Sequence, residues 1–181
     1  MTKYVKEVLI RREDIDAMCR RLGEQISADY AGREVILIGV LKGAYVFMAD
    51  LARCLNIPCR IDFISVSSYG SGTRSSGIVR ITKDLDSDIT GKHIIIVEDI
   101  VDSGLTLNHL RQLLGTRKPA SIAVCTAFDK PERRRVSVKV EYVGMQIPDE
   151  FIVGYGLDFD GKYRNLPDVS ILGDDSQGGA K

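Results

Sequence analysis

HIIIVEDIVDSGLTL, His93 to Leu107, sets an apolar run directly before a cluster of acids: Glu98, Asp99 and, three residues on, Asp102. His93 to Val97 is mostly β-branched and too short for a core helix, so it reads as a buried strand. Leu105 to Leu114 reads as the helix after it. Carboxylates at the end of a buried strand repel one another and are costly to desolvate, so something must hold them there.

The same alternation runs outward on both sides. Ile15, Met18, Cys19, Leu22 and Ile26 recur at helical spacing and predict an amphipathic helix from Arg12 to Tyr30. Glu34 to Val40 predicts a strand, and Ala44 to Leu55 a helix that Asn56-Ile57-Pro58 ends. Strands are expected over Arg60–Ser67, Ile78–Thr82, Ser121–Ala127 and Val138–Val143. Alternating strands and helices favour an α/β fold, a mostly parallel sheet with helices on both faces. Ligands of such folds bind beyond the carboxyl ends of the strands, where the acids lie. Ser68 to Gly77, SYGSGTRSSG, has almost nothing to bury and reads as mobile. The tail GDDSQGGAK, from Gly173, is expected to fray.

Composition narrows the partners. The 181 residues are 44% hydrophobic, with Lys+Arg and Asp+Glu both at 25 and a net charge of zero. Neither nucleic acid nor an anionic membrane is favoured as main partner by that balance. Cys19, Cys54, Cys59 and Cys125 form no CxxC pair and no metal spacing with His93 or His109, so reduced thiols are expected. MTKYVKEVLIRRED lacks the apolar core of a signal peptide, and Val35 to Leu51 is broken by Gly39, Lys42, Gly43 and Asp50. A cytoplasmic protein is expected.

The acids gain a purpose from the residues beyond them. In Asp102-Ser103-Gly104-Leu105-Thr106, Gly104 permits a tight turn and close backbone approach. The first helical turn offers amide hydrogens aided by the helix dipole, and Ser103 and Thr106 add hydroxyls. This is a cradle for one phosphate, without the GxxxxGK[ST] of a Walker loop. Ribose hydroxyls can donate to Glu98 and Asp99, and Mg²⁺ would offset their repulsion. Phosphorylated ribose with a metal-bound polyphosphate suits both halves. A plain helix cap, with Asp102 at the N-cap and solvated acids before it, would account for any one residue but not for the whole string.

The string resembles the phosphoribosyl pyrophosphate motif of type I phosphoribosyltransferases. VLKGAYVFMADL (Val40–Leu51), SSYGSGTRSSG (Ser67–Gly77), DKPERR (Asp129–Arg134) and IPDEFIVGYGLDFDGKYRNLP (Ile147–Pro167) resemble the bacterial hypoxanthine phosphoribosyltransferase family, in that family's order. The resemblance implies one domain over residues 1–181: a core of about 31–145, a small hood from about 1–12 and 146–173, a flexible lid at 68–77 and a tail at 174–181. It implies Mg²⁺-dependent transfer of 5-phosphoribosyl from phosphoribosyl pyrophosphate to N9 of a 6-oxopurine, by a homodimer or homotetramer.

Residue roles come from the same resemblance. Glu98 and Asp99 hold the ribose hydroxyls and associated Mg²⁺; Ser103, Gly104, Leu105 and Thr106 take the 5′-phosphate. Asp102 lies near N7 of the purine as candidate general base or acid. Lys42, Gly43, Ser68, Tyr69 and Arg164 meet pyrophosphate. Lys130 contacts the 6-oxygen, Phe151 stacks on the base, and Ile152 acts through its backbone. Asp158 is the ligand of the Mg²⁺ that carries pyrophosphate. Lysine only donates hydrogen bonds, so Lys130 favours an oxo over an amino group. His93 and His109 receive no role, and Arg133-Arg134-Arg135 reads as a solvated face. Two alternatives stay open: a transferase preferring xanthine or guanine, and an RNA-binding regulator of pyrimidine operons on the same fold.

Overall fold

The computed structural model describes residues 3–68 and 79–174. β2 (Val35–Leu41), β3 (Cys59–Ser68), β4 (Val79–Lys83), β5 (His93–Val101), β6 (Ser121–Asp129) and β7 (Tyr142–Gln146) make a central sheet in the order β4-β3-β2-β5-β6-β7. Every pairing in it is parallel except β3 with β4. β1 (Lys3–Ile10), β8 (Ile152–Val153) and β9 (Val169–Asp174) form a separate antiparallel sheet in the order β1-β9-β8. The α/β fold with a terminal hood is therefore present.

Helices α1 (Arg12–Asp29) and α2 (Tyr45–Arg53) cover one face of the central sheet, and α3 (Leu105–Gly115) covers the other. The helical spacing of α1 explains its burial: Ile15, Met18, Cys19, Leu22 and Ile26 all sink into the core against Leu37, Ile95 and Val97. Alternation along the strands sends Ile94 and Ile96 to the opposite side, where Leu107, Leu110 and Leu114 of α3 meet them. Each fully buried side chain of this kind contributes about 1.5–3 kcal/mol relative to exposure.

Two expected elements differ. The strand begun at His93 does not stop at Val97 but runs to Val101, because β6 continues to pair with it through Glu98↔Thr126 and Val101↔Asp129. The last strand of the sheet lies at Tyr142–Gln146 rather than Val138–Val143. Val138 and Val140 pack against the α3 side of the core without joining the ladder, and Val136 donates its N–H to the Ser103 carbonyl at 3.3 Å. That segment braces the loop before α3 instead of extending the sheet. All four cysteines are free thiols, Cys19 and Cys125 buried. No helix is long and apolar enough to cross a membrane among the described residues.

Candidate active site

The strand order reverses between β2 and β5: β3 lies on one side, β6 and β7 on the other. Such a switch point opens a crevice at the carboxyl ends of the two central strands. Leu41-Lys42-Gly43 leaves β2 there, across a cis Leu41–Lys42 peptide, and Glu98 to Asp102 arrive there on β5.

Glu98 and Asp99 lie inside the strand, and alternation sends them to opposite faces. The Glu98 side lines the cavity before α3, while the Asp99 carboxylate packs onto Gly43. A Cβ at Gly43 would stand 1.6 Å from Asp99 Oδ2, so any larger residue there must displace the Asp99 carboxylate. Asp99 Oδ1 accepts the Ile100 N–H at 2.7 Å. Burial raises the pKa of both carboxyls, and for Glu98 the charge of Asp99 adds to it; for Asp99 the backbone amide of Ile100 and the charge of Arg164 pull the other way. A buried and a half-buried acid, both with raised pKa values, suit a ligand that brings hydroxyl donors and positive charge.

The loop Asp102 to Leu105 encloses a cavity of about 100 Å³ with Glu98, Ser103, Gly104 and Thr106 in its lining. Gly104 adopts φ 81° and caps α3 with no side-chain hydrogen bond, so a left-handed glycine turn stands where a plain Asp102 cap would. Ser103 Oγ accepts the Leu105 N–H at 3.4 Å, while the Ser103 carbonyl is held by Arg135 and Val136 from outside. The amide hydrogens opening a helix, with two hydroxyls beside them, make an anion cradle of phosphate size.

Asp102 stands at the rim, held by cations that the sequence alone places in solvent. Arg133 Nη1 lies 3.4 Å from Asp102 Oδ2, and Arg133 Nε 3.0 Å from Asp149 Oδ1. Arg134 donates to the Asp102 carbonyl at 3.1 Å and pairs with the buried Asp129 carboxylate. The side chain of Arg135 stays exposed, as a solvated face requires, while the exposed Arg133 and the half-buried Arg134 form a brace for the site. Its signal in the sequence is weak, since an exposed arginine run has the same spelling. His93 is likewise half-buried, its Nδ1 2.8 Å from Ser121 Oγ and its ring edge-on to Tyr30.

Lys130 comes directly after β6 and is 6% exposed. Its N–H bonds to the Val101 carbonyl at 2.9 Å, which sets it beside Asp102, and its ammonium donates to the Glu150 carbonyl. Burial draws its pKa below the usual lysine value, against the pull of Asp149 and Asp102. Phe151 comes next after Glu150, is 53% exposed and meets Phe159 edge-on at 5.7 Å. Ile152 is buried in β8, paired with Ile171. A fixed donor and an exposed ring thus share one rim.

The hood closes the other side. Arg164 donates to the Gly156 carbonyl at 2.6 Å and pairs with Asp158 at 2.7 Å, whose second oxygen accepts the Gly161 N–H at 2.7 Å. Gly156 rests on the turn after β2, since a Cβ there would stand 2.3 Å from the Gly43 carbonyl oxygen. Arg164, Asp158, Gly43 and Asp99 therefore adjoin. The Ser68 side chain, the lid residues from Tyr69 and the tail from residue 175 lie outside the described residues, whereas Gly173 and Asp174 of β9, expected to fray, pair with Tyr4 and Lys3.

Among the described residues no three His, Cys, Asp or Glu side chains converge as a metal cage. Glu98, Asp99 and Asp158 instead approach the crevice separately. That donor set fits Mg²⁺, which keeps waters and substrate oxygens around it and needs only one or two protein carboxylates.

A crevice at a sheet switch point, with paired acids, a one-phosphate cradle and a hood, defines a class. Residues 11–160 match the phosphoribosyl transferase domain model, and the chain belongs to that family. Within it, the chain is 52% identical over 169 residues to the hypoxanthine phosphoribosyltransferase of Salmonella typhimurium, covering 92% of this chain and 95% of that one. It is 50% identical to the hypoxanthine-guanine phosphoribosyltransferase of Mycobacterium bovis, over 93% of this chain and 86% of that one. The crystal structure of a hypoxanthine-guanine phosphoribosyltransferase from Bacillus anthracis superposes with a TM-score of 0.90 at 47% identity, over 96% of this chain and 100% of that one.

Proposed function

We propose that this protein is a hypoxanthine phosphoribosyltransferase of purine salvage, with guanine as a second base. The observation that carries the choice of base is Lys130: a buried ammonium, pinned by the Glu150 carbonyl, at the rim that also bears Asp102 and the exposed Phe151 ring. An ammonium only donates, so an oxo group at position 6 completes its hydrogen bonding and an amino group leaves donors facing each other. That mismatch costs about 1–3 kcal/mol, roughly tenfold or more against adenine.

In this reading the Ser103–Thr106 cradle takes the 5′-phosphate, and Glu98 and Asp99 accept the ribose hydroxyls. Lys42, Gly43 and Arg164 take pyrophosphate, together with Ser68 and Tyr69. Phe151 stacks on the purine, and Ile152 contributes backbone. Glu98 and Asp99 would hold the Mg²⁺ associated with the ribose, and Asp158 the Mg²⁺ that carries pyrophosphate, where the metal would supply neutralising charge to the leaving group. The purine N9 lone pair forms its bond to C1 as the bond from C1 to pyrophosphate oxygen breaks, and Asp102 takes the proton from N7. The oxocarbenium-like charge at C1 is stabilised by the carboxylates beneath the ring. A positioned base of this kind contributes about 10²–10⁴-fold.

The test is a steady-state assay with phosphoribosyl pyrophosphate and Mg²⁺, offering hypoxanthine, guanine, xanthine, adenine and uracil separately, beside Asp102→Asn. Turnover of hypoxanthine and guanine, slowed in the variant, is expected. Preference for xanthine, or ligand binding with no turnover of any base, would replace this reading by one of the alternatives.

A further inference from the structure

We propose that Tyr155 is a positioning residue that sets the pyrophosphate side of the site through a hydrogen bond to Asp50 of α2. The proposal rests on the pyrophosphate roles given above to Gly43 and Arg164. Tyr155 lies at the centre of the hood turn, between Gly154 (φ 97°) and Gly156 (φ 96°), and itself adopts φ 51°. A tyrosine in that left-handed region is uncommon and needs outside support. Its N–H bonds to the Leu166 carbonyl at 2.9 Å, and the next N–H, of Gly156, to the Arg164 carbonyl at 3.0 Å.

The side chain leaves the hood and enters the core, where it is 1% exposed. Its hydroxyl donates to Asp50 Oδ2 at 2.9 Å, and Cys19 Sγ lies 3.4 Å from the phenol oxygen. Burial pushes the Cys19 thiol up to about 11 and raises the phenol further, so both keep their protons. The phenol has one proton, committed to Asp50, so the thiol donates to the phenol oxygen. Arg12 and Arg53 pair with Asp50 from outside, Arg12 at 3.0 Å, and the Arg12 guanidinium lies 5.6 Å from the Tyr155 ring centre.

The partner's location gives this contact a function. Asp50 belongs to α2, the helix that begins just after Lys42-Gly43. The backbone next to Tyr155 carries Gly156, which rests on the Gly43 carbonyl and accepts the Arg164 guanidinium. One phenol therefore ties the hood turn to the helix that places the pyrophosphate loop. The Tyr155 ring also meets Phe128, two residues before Lys130, edge-on at 6.5 Å, a contact that removal of the hydroxyl keeps; the joint proper is the hydroxyl, which reaches Asp50 and Cys19. Loosening it should spread Arg164 from Gly43 and leave the base alone.

The experiment compares Tyr155→Phe with wild type for both Michaelis constants, and for calorimetric binding of magnesium pyrophosphate without turnover. Ile26→Val, a core truncation in α1, serves as a stability control. The expected result is an increase of about tenfold in KM for phosphoribosyl pyrophosphate and in pyrophosphate Kd, the loss of one hydrogen bond to a charged acceptor, with KM for hypoxanthine within about twofold. Ile26→Val should lower Tm without separating the two constants. Asp50→Asn, which keeps an oxygen acceptor without the charge, should move the ratio less than Asp50→Ala, and Asp50→Ala should reproduce the split even where Tyr155→Phe does not fold. Equal movement of both constants, or none, overturns the proposal. Wild type that binds pyrophosphate but turns over no base would sink the assigned reaction while the calorimetry still reads the joint; wild type that binds no pyrophosphate removes both.

Discussion

Gly43→Ala should inactivate the protein while barely unfolding it. The added methyl would stand 1.6 Å from Asp99 Oδ2 and 2.5 Å from Asp99 Cγ. Ordinary contact between such atoms begins near 3.5 Å, so the carboxylate must retreat by about 2 Å. What blocks the methyl is the end of a side chain, and rotation of Asp99 relieves the overlap at the cost of its bond to the Ile100 N–H. That loss is worth about 1 kcal/mol, a small change in Tm. Misplacing a positioning group by about 1 Å can cost 10²-fold in rate, so kcat/KM should fall by about that factor or more. Gly115→Ala, whose methyl meets only Ile122 Cδ1 at 3.8 Å, is the neutral control. The decisive assay is a double-mutant cycle with Asp99→Ala. If displacement of Asp99 is the cause, Gly43→Ala should cost less than about threefold in that background. A loss of about 10²-fold there would refute the steric argument and assign the effect to the Gly43 backbone itself.

Other outcomes rest on single contacts. Lys130→Gln, which introduces an acceptor where only donors stood, should lower kcat/KM for hypoxanthine at least about tenfold and narrow the gap to adenine; an unchanged ratio would separate Lys130 from base choice. Arg134→Ala leaves the buried Asp129 carboxylate unpaired and should destabilise by about 3 kcal/mol, read as a shift in urea midpoint, with Arg134→Lys between it and wild type. Burial pushes the Asp62 carboxyl up, but the amides of Asp86, Phe63 and Ser87 outweigh it, so its folded pKa lies below the usual value. The stability it supplies is present above the unfolded pKa near 3.9 and is lost as pH falls through the lower folded value. Asp62→Asn should therefore flatten the urea midpoint against pH below about pH 4, and an unaltered slope would remove Asp62 from the acid transition.

The apolar half of the fold is readable because period and burial coincide. The Ile15–Ile26 stripe and the Ile94–Val97 run each admit one placement, and the sheet order then puts Lys42-Gly43 beside Glu98–Thr106. Glu98 and Asp99 read as lying past the strand because acids are rare in buried strands; in the fold, alternation parts them and Gly43 makes room. Arg133 and Arg134 are invisible as a brace, since a charged run reads the same whether its partners are waters or Asp102, Asp129 and Asp149. The Tyr155–Asp50 contact joins residues 105 positions apart, and no local pattern encodes such a pair.

The β1–β9 pairing matches Lys3 with Asp174 and Ile10 with Val169, so the hood sheet joins segments at nearly the full span of the described chain. Contacts of such separation close large loops and form slowly. On a ribosome, the acids of β5 and the phosphate cradle emerge well before Asp158, Arg164 and β9 are made. A nascent chain therefore displays the floor of the crevice without its wall, and the crevice becomes whole only once β9 has been made.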